Sequence, residues 1–383
     1  MNSRLIDRFG VQDTPFFYYD LKMLQGNVDA LKAASKPCGF HVHYAIKSNA
    51  NSRVLELISE SGLGADCVSG NEIKASIESG FSPDKVLFAG VGKSDKEINY
   101  ALEKNIFCFN CESIQEIEVI NELAEKQDKV AKIAIRLNPN VNAYTHAYIT
   151  TGLEENKFGI NASQLEEVLE VISNSENIKL IGLHFHIGSQ ITDLTPFKNL
   201  CNKINELQQW FLTRNVTIEH INVGGGLGID YETPDLHPIP PYEEYFQIFK
   251  DFLELQSGQE VHFELGRSIT GNMGTLVSRV LYVKKGINTN FLILDAGMTE
   301  LIRPALYQSY HKIENLSKRH LDDISREKYD VVGPICESSD CFGKDVTLED
   351  TKRGDLIGIR SAGAYGEVMA SSYNLREKAK VLF

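Results

Sequence analysis

Short β-rich runs alternate with longer helical patterns from residue 41 to about 265, and this alternation limits the possible folds more than any other feature of the chain. The strand candidates are His41–Lys47, Leu63–Ser69, Lys85–Gly90, Ile106–Asn110, Ala131–Asn138, Ile178–Gly188, Thr217–Gly226 and Glu260–Leu265. Helical patterns lie between them over Ser52–Ser61, Asn71–Ser79, Asp95–Lys104, Ile114–Lys126, Gln164–Ser173, Phe197–Thr213 and Tyr242–Leu255. Ser69…Glu72, Ser94…Glu97, Ser113…Glu116 and Ser163…Glu166 read as capping boxes, in which side chains satisfy the free amides of a helix start. The first five strands begin at 41, 63, 85, 106 and 131, one βα unit apart. Eight such units predict a (β/α)8 barrel of the TIM type. A doubly wound sheet would have about six strands and a glycine fingerprint after the first. Here Gly224-Gly225-Gly226-Leu227-Gly228 follows the seventh, which is out of order for an NAD-binding oxidoreductase.

After about residue 270 strands dominate, over Leu276–Lys284, Asn290–Asp295, Tyr329–Ile335, Asp355–Ile359 and Ala379–Phe383. This predicts an all-β sandwich or Greek-key domain, to which the early run Pro15–Tyr19 adds a strand. The expected division is a barrel over 25–270 and a β domain made of 1–24 and 271–383. With 42% hydrophobic and 24% charged residues, the chain is neither disordered nor fibrous. A net charge of −13 argues against a surface that tracks nucleic-acid phosphates. No stretch approaches the ~18 apolar residues of a membrane span, and Met1-Asn2-Ser3-Arg4 is too polar to open a signal peptide. A cytoplasmic protein is therefore expected. The seven cysteines fit reduced thiols better than a disulfide framework. Cys108-Phe109-Asn110-Cys111 has redox spacing but reads as buried small residues on a strand.

Functional groups of such barrels collect where the strands end at their C-termini. Lys47-Ser48-Asn49, His186-Ile187-Gly188-Ser189, Gly224-Gly225-Gly226 and Glu264-Leu265-Gly266-Arg267 all fall there. Lys47 shares strand parity with His41, His43 and Ala45, so an inward face would place it at the top of the barrel interior. By itself a strand-end lysine is most simply a solvated charge, although a partly buried one can form a Schiff base with a carbonyl cofactor. The glycine clusters, with Ser189 and Gly266, offer donors to a phosphate, while tight turns alone would explain any single cluster.

These residues resemble, in order, the motifs of the pyridoxal-phosphate decarboxylases of the alanine-racemase fold. The likeness is carried by Tyr44-Ala45-Ile46-Lys47-Ser48-Asn49, His184-Phe185-His186-Ile187-Gly188-Ser189-Gln190, Gly224-Gly225-Gly226, Glu264-Leu265-Gly266-Arg267, Cys336-Glu337-Ser338-Ser339-Asp340 and Gly363-Ala364-Tyr365-Gly366. Supporting segments are Thr145–Gly152, Lys157-Phe158-Gly159 and Arg303-Pro304-Ala305-Leu306-Tyr307. Leu265 stands where the family more often has proline, a change expected to alter loop rigidity only.

The resemblance implies that Lys47 carries pyridoxal 5'-phosphate as a Schiff base, that His186 stacks on its ring, and that Glu264 pairs with the pyridine nitrogen. It assigns the phosphate to Ser189, Gly224, Gly225, Gly226, Gly228, Gly266, Arg267 and Tyr365. Arg136 is a weaker candidate for steering the ring and reads equally well as a surface ion pair. Within the family the likeness is greatest to members that decarboxylate meso-2,6-diaminopimelate to L-lysine through an external aldimine. Arg267 and Arg303 would then grip the distal carboxylate, Tyr307, Tyr365 and Glu337 would complete that end, and Glu337 would face the distal ammonium. Cys336 would return a proton to the substrate carbon, for which a thiol with the ordinary pKa of ~8.5 is suited near neutral pH. In this family the Cys336–Asp340 loop reaches the neighbouring subunit, so a homodimer with shared active sites is implied. The alternatives are a carboxynorspermidine, ornithine or arginine decarboxylase, and a non-catalytic regulatory relative. The first three lack a need for Arg303, and the last would be expected to have lost Lys47 or the Cys336 loop. An alanine racemase would need a tyrosine base and offers no counterpart to Cys336-Glu337.

Overall fold

The computed structural model describes residues 3–141, 157–318 and 325–383. The chain divides into two units, one of Gln25–Gly228 with Pro240–Ile269, the other of Met1–Leu24, Ile229–Ile239 and Thr270–Phe383.

The first unit is a closed barrel of eight parallel strands in sequence order: His41–Ala45, Gly64–Cys67, Val86–Phe88, Cys108–Cys111, Ala131–Arg136, Ile178–His184, His220–Asn222 and Glu260–Leu265. The ring closes where His41, Val42, His43 and Tyr44 pair with His262, Phe263, Glu264 and Leu265. Several strands are shorter than the apolar runs that announce them, because the last residues of each run turn out into the mouth loops. The first strand ends at Ala45, and Lys47 sits in the following 3-10 turn, Ile46–Ser48. The alternation of sides that links His41, His43 and Ala45 therefore stops before Lys47 and does not orient it. Leu265, fully buried in the eighth strand opposite Tyr44, is likewise a packed strand residue and not a loop residue.

Three of the capping boxes lie at helix starts. Ser69 and Ser113 accept from the amides of Glu72 and Glu116, and Ser94 with Glu97 forms the reciprocal pair. At the fourth, the reciprocal pair is instead Asn161 with Gln164, two residues earlier, and Glu166 is turned toward Arg214. Outward side chains of the strands pack against the helix layer. Phe263 lies within 4.9–5.7 Å, ring centre to ring centre, of Phe40, Tyr245, Phe246 and Phe249.

The second unit is mostly β. Its strands follow the order Ile313–Asn315, Leu356–Ile359, Gly274–Lys285, Asn290–Leu294, Arg326–Val332, Cys341–Glu349. Phe16–Tyr19 pairs with both Gly274–Lys285 and Lys380–Leu382, so both chain ends enter this sheet. The twelve-residue strand Gly274–Lys285 serves two sets of neighbours, with a register shift between Val280 and Tyr282. The sequence pattern did not signal the N-terminal helix Ser3–Gly10, whose Phe9 is buried against Phe16, Val277, Leu316 and Leu356. It also missed the long strand Cys341–Glu349, whose charged residues mask its period. The loop Ile229–Ile239, inside the expected barrel span, groups with this unit through buried Tyr231 beneath Arg303 and through Asp235, which pairs with Arg360.

Deleting a large aromatic from a filled core costs about 3–5 kcal/mol. Phe263→Ala should lower unfolding stability by that order in urea titration, whereas Phe252→Ala, on a partly exposed ring, should change it little.

Candidate active site

Alternation along the eighth strand turns Glu260, His262 and Glu264 to the barrel interior. Glu264 lies near the mouth and is buried, and an isolated carboxylate there would be costly. Its Oε1 accepts from Asn110 Nδ2 at 2.9 Å and Asn222 Nδ2 at 2.7 Å, and Oε2 lies 3.0 Å from His184 Nε2. Burial opposes ionisation, yet His184, Lys47 and His186 outweigh it and hold the pKa below the usual carboxylate range. A carboxylate has about four lone-pair sites, so three donors leave room for one more, as a protonated ring nitrogen would require.

Lys47 Nζ is 2.8 Å from Asp66 Oδ2 of the second strand. Asp66 is fully buried, and burial together with the Glu264 charge pushes its pKa up while Lys47 opposes the rise. His186 Nδ1 accepts from the Gly225 amide at 3.2 Å, so the ring proton sits on Nε2. Burial, then Arg136 and Lys47, pull its pKa down to about 3, so this ring is neutral at working pH.

Among the phosphate candidates, Ser189 Oγ accepts from Arg267 at 3.0 Å. The glycine run is required by crowding. A Cβ on Gly225 would lie 1.9 Å from the Glu264 carbonyl oxygen, and one on Gly224, whose φ is +71°, would lie 2.2 Å from that of Phe185. Three of its amides are already committed: Gly224 to Asn222 Oδ1, Gly225 to His186 and Gly228 to the Ile191 carbonyl. The Gly226 amide has no hydrogen-bond partner within the described residues. Within the chain those three contacts fix the mouth loops. Gly266 stands against Ser48 and Ala45, where a Cβ would come within about 3 Å of both side chains.

In the second unit, Arg303 is buried and donates to the Tyr231 hydroxyl at 3.0 Å and the Ser309 hydroxyl at 3.1 Å. Tyr307 closes the short helix that Arg303 opens. Tyr365 is held at φ +56°, unusual for a side chain of its size. Cys336 through Ser339 are exposed, and the Glu337 carboxylate accepts from the Tyr373 hydroxyl at 2.9 Å. Asp340, the last residue of this motif, is buried and accepts from the amides of Met298 and Ile335. It anchors the loop.

Arg136 is not a surface ion pair. Its guanidinium is buried 2.7 Å from Glu112 and stacks over Phe158. Asp66, Asn110, Glu112, His184 and Asn222 were missed by sequence reasoning. Their only signal is a polar residue late in a strand or just after it. The motif Thr145–Gly152 lies outside the described residues.

Beside this mouth, burial pushes the Glu72 carboxyl up to about 7, partly offset by the Val68 amide and Lys47. The folded chain therefore binds a proton that the unfolded chain releases near the ordinary ~4.3, so this group's contribution to stability falls as pH rises between those values. Glu72→Gln keeps an acceptor for Val68. Its melting temperature relative to the parent should climb from pH 5 to 7 and then level off; a constant difference would refute the shift.

Comparison with known proteins places the chain in a family. Residues 26–271 match the family described as pyridoxal-dependent decarboxylase, pyridoxal binding domain. The diaminopimelate decarboxylase of Bacteroides thetaiotaomicron is 56% identical over 376 residues, 98% of this chain and 96% of that protein. A crystal structure of Helicobacter pylori diaminopimelate decarboxylase complexed with L-lysine superposes with a TM-score of 0.92 at 38% identity, covering 99% of this chain and 94% of that one. An arginine decarboxylase from Paramecium bursaria Chlorella virus has a TM-score of 0.88 at 21% identity, covering 100% of both chains, and so shares the fold. With a polar barrel mouth built around Lys47 and Glu264 and near-full-length identity of this size, the chain belongs to the diaminopimelate decarboxylases of the pyridoxal-dependent decarboxylase family.

Proposed function

We propose that the protein decarboxylates meso-2,6-diaminopimelate to L-lysine, the last step of lysine biosynthesis, with pyridoxal 5'-phosphate held by the residues of the barrel mouth. The bound cofactor supplies a ring that accepts the electrons left when CO2 departs. Lys47 holds it, with Asp66 orienting the amine. Glu264 keeps a proton at the ring nitrogen, and neutral His186 covers one face of the ring. Ser189, Arg267, the Gly226 amide, Gly266 and Tyr365 bind the phosphate.

Buried Arg303 carries the substrate assignment. A guanidinium taken out of water and aimed by two neutral hydroxyls is suited to a planar carboxylate, and a diamine-forming decarboxylase has no such group to bind at the distal end. Arg267, Tyr307 and Tyr365 join it in binding substrate, and Glu337 takes the distal ammonium. CO2 release should be fastest with meso-diaminopimelate in a panel with ornithine, arginine and carboxynorspermidine. Arg303→Met should lower kcat/KM for it by about 10²-fold or more, since a buried charge-assisted pair is worth 2–5 kcal/mol. A preference for a substrate without the distal carboxylate would overturn the assignment.

Cys336 supplies the proton that replaces CO2, in the active site of a neighbouring copy. The exposure of its loop and of Tyr373 and Leu375 near it supports a surface of this kind. Lys47→Ala and Cys336→Ala should each be inactive, and a refolded equimolar mixture should regain about a quarter of parental activity, as random pairing into two-fold dimers requires. No recovery would place both groups in one subunit. A cytoplasmic location belongs to the same reading and is supported by seven free cysteines.

A further inference from the structure

The barrel floor, opposite the mouth, carries chemistry that the decarboxylation does not use. His41, His220 and Glu260 open the first, seventh and eighth strands, and His262 follows two residues after Glu260 on the same inward face. Strand register pairs His41 with His262 and His220 with Glu260. The seam where the barrel closes therefore ends in three imidazoles and a carboxylate.

Their ligand atoms converge. His220 Nδ1 lies 3.0 Å from His262 Nε2 and 3.4 Å from Glu260 Oε2, and His262 Nε2 lies 3.6 Å from Glu260 Oε2. Ligand atoms about 2.0–2.2 Å from a tetrahedral zinc ion are about 3.3–3.5 Å apart, so these separations bracket that value. His41 Nε2, 3.8 Å from Glu260 Oε2 on an exposed ring, is within reach of the fourth position, which water can also fill.

Hydrogen bonds behind the cluster fix the orientation of its most buried member. The Lys85 carbonyl can only accept, so His43 Nδ1, 3.0 Å away, carries a proton. A neutral His43 then presents its Nε2 lone pair to His262 Nδ1 at 2.9 Å, which must donate. His262 Nε2 is left as a lone pair facing Glu260. His262 thus donates its second N–H to a ring that the Lys85 carbonyl holds in place, which fixes its tautomer as the outer partners of metal-binding imidazoles do. Gly64 makes room for this relay, because a Cβ there would lie 2.2 Å from His43 Nδ1. Without a metal, His220 Nδ1 donates to that lone pair at 3.0 Å and leaves Glu260 to solvent, whereas a dication would engage all three ligand atoms at once. An adjoining cavity of about 360 Å³, lined by His41, His43, Glu260 and His262, gives access from solvent.

We propose that His220, Glu260 and His262, with His41 or water, form a zinc site that braces the closure of the barrel between its first, seventh and eighth strands. The mixed imidazole and carboxylate set suits a borderline first-row dication better than magnesium or calcium, which prefer all-oxygen sites. Binding switches His220 from its Nδ1–H to its Nε2–H form and leaves His43 and His262 as they are.

The holoenzyme, stripped with chelator, incubated with zinc chloride and desalted, should retain about one zinc per chain by elemental analysis and melt at a higher temperature than the stripped protein. His220→Asn and Glu260→Gln, both at the rim of the floor, should lose the retained zinc and the rise in melting temperature, while Cys336→Ser should keep both. His43→Leu, which removes only the relay, should weaken zinc binding by on the order of 10–100-fold. Cobalt in place of zinc should give the visible bands of a four-coordinate nitrogen and oxygen site. Absence of retained zinc in the parent, or equal retention in the His220→Asn, Glu260→Gln double variant, would overturn the proposal.

Discussion

The arrangement of the mouth depends on one buried negative charge. Glu264 is stable inside the barrel only because Asn110, His184 and Asn222, from three other strands, donate to it at once. Removing one partner from a buried charged pair costs about 3–5 kcal/mol, so the three strands are tied to one register by the same requirement that keeps the carboxylate ionised. The charge in turn acts on its neighbours: it raises Asp66 and helps set the field in which Lys47 sits.

Around that charge the loops position each other before they position a ligand. The amides of Gly224 and Gly225 hold Asn222 and His186, and the Gly225 contact fixes the tautomer of a ring that burial keeps neutral. The glycine run thus serves the hydrogen bonds of the mouth itself, and the space around it leaves no room for side chains. The same principle holds in the β-rich unit, where buried Asp340 collects two backbone amides so that the residues before it can stand exposed.

Much of this was legible in the sequence because it rests on local pattern. Eight alternating units implied a closed parallel barrel, and strand ends marked Lys47, His186 and Glu264 as mouth residues, since both follow from the periods of strand and helix. Three capping signatures lay at helix starts for the same reason: a serine and the amide three residues on are neighbours in any helix. The family followed from ordered motifs whose residue types are set by chemistry.

Only the tertiary structure decided what each group faces. That Asp66 meets Lys47, that Arg136 is buried against Glu112, and that Ile229–Ile239 belongs with the β-rich strands depends on contacts between residues far apart in the chain. Such pairings leave no periodic trace, because a polar residue late in a strand reads the same whether it meets water or a charge. The floor histidines show the limit most clearly. The sequence relates His41 to His43 by strand parity and connects neither to His220 or His262, and only closure of the ring brings four imidazoles and Glu260 to one seam.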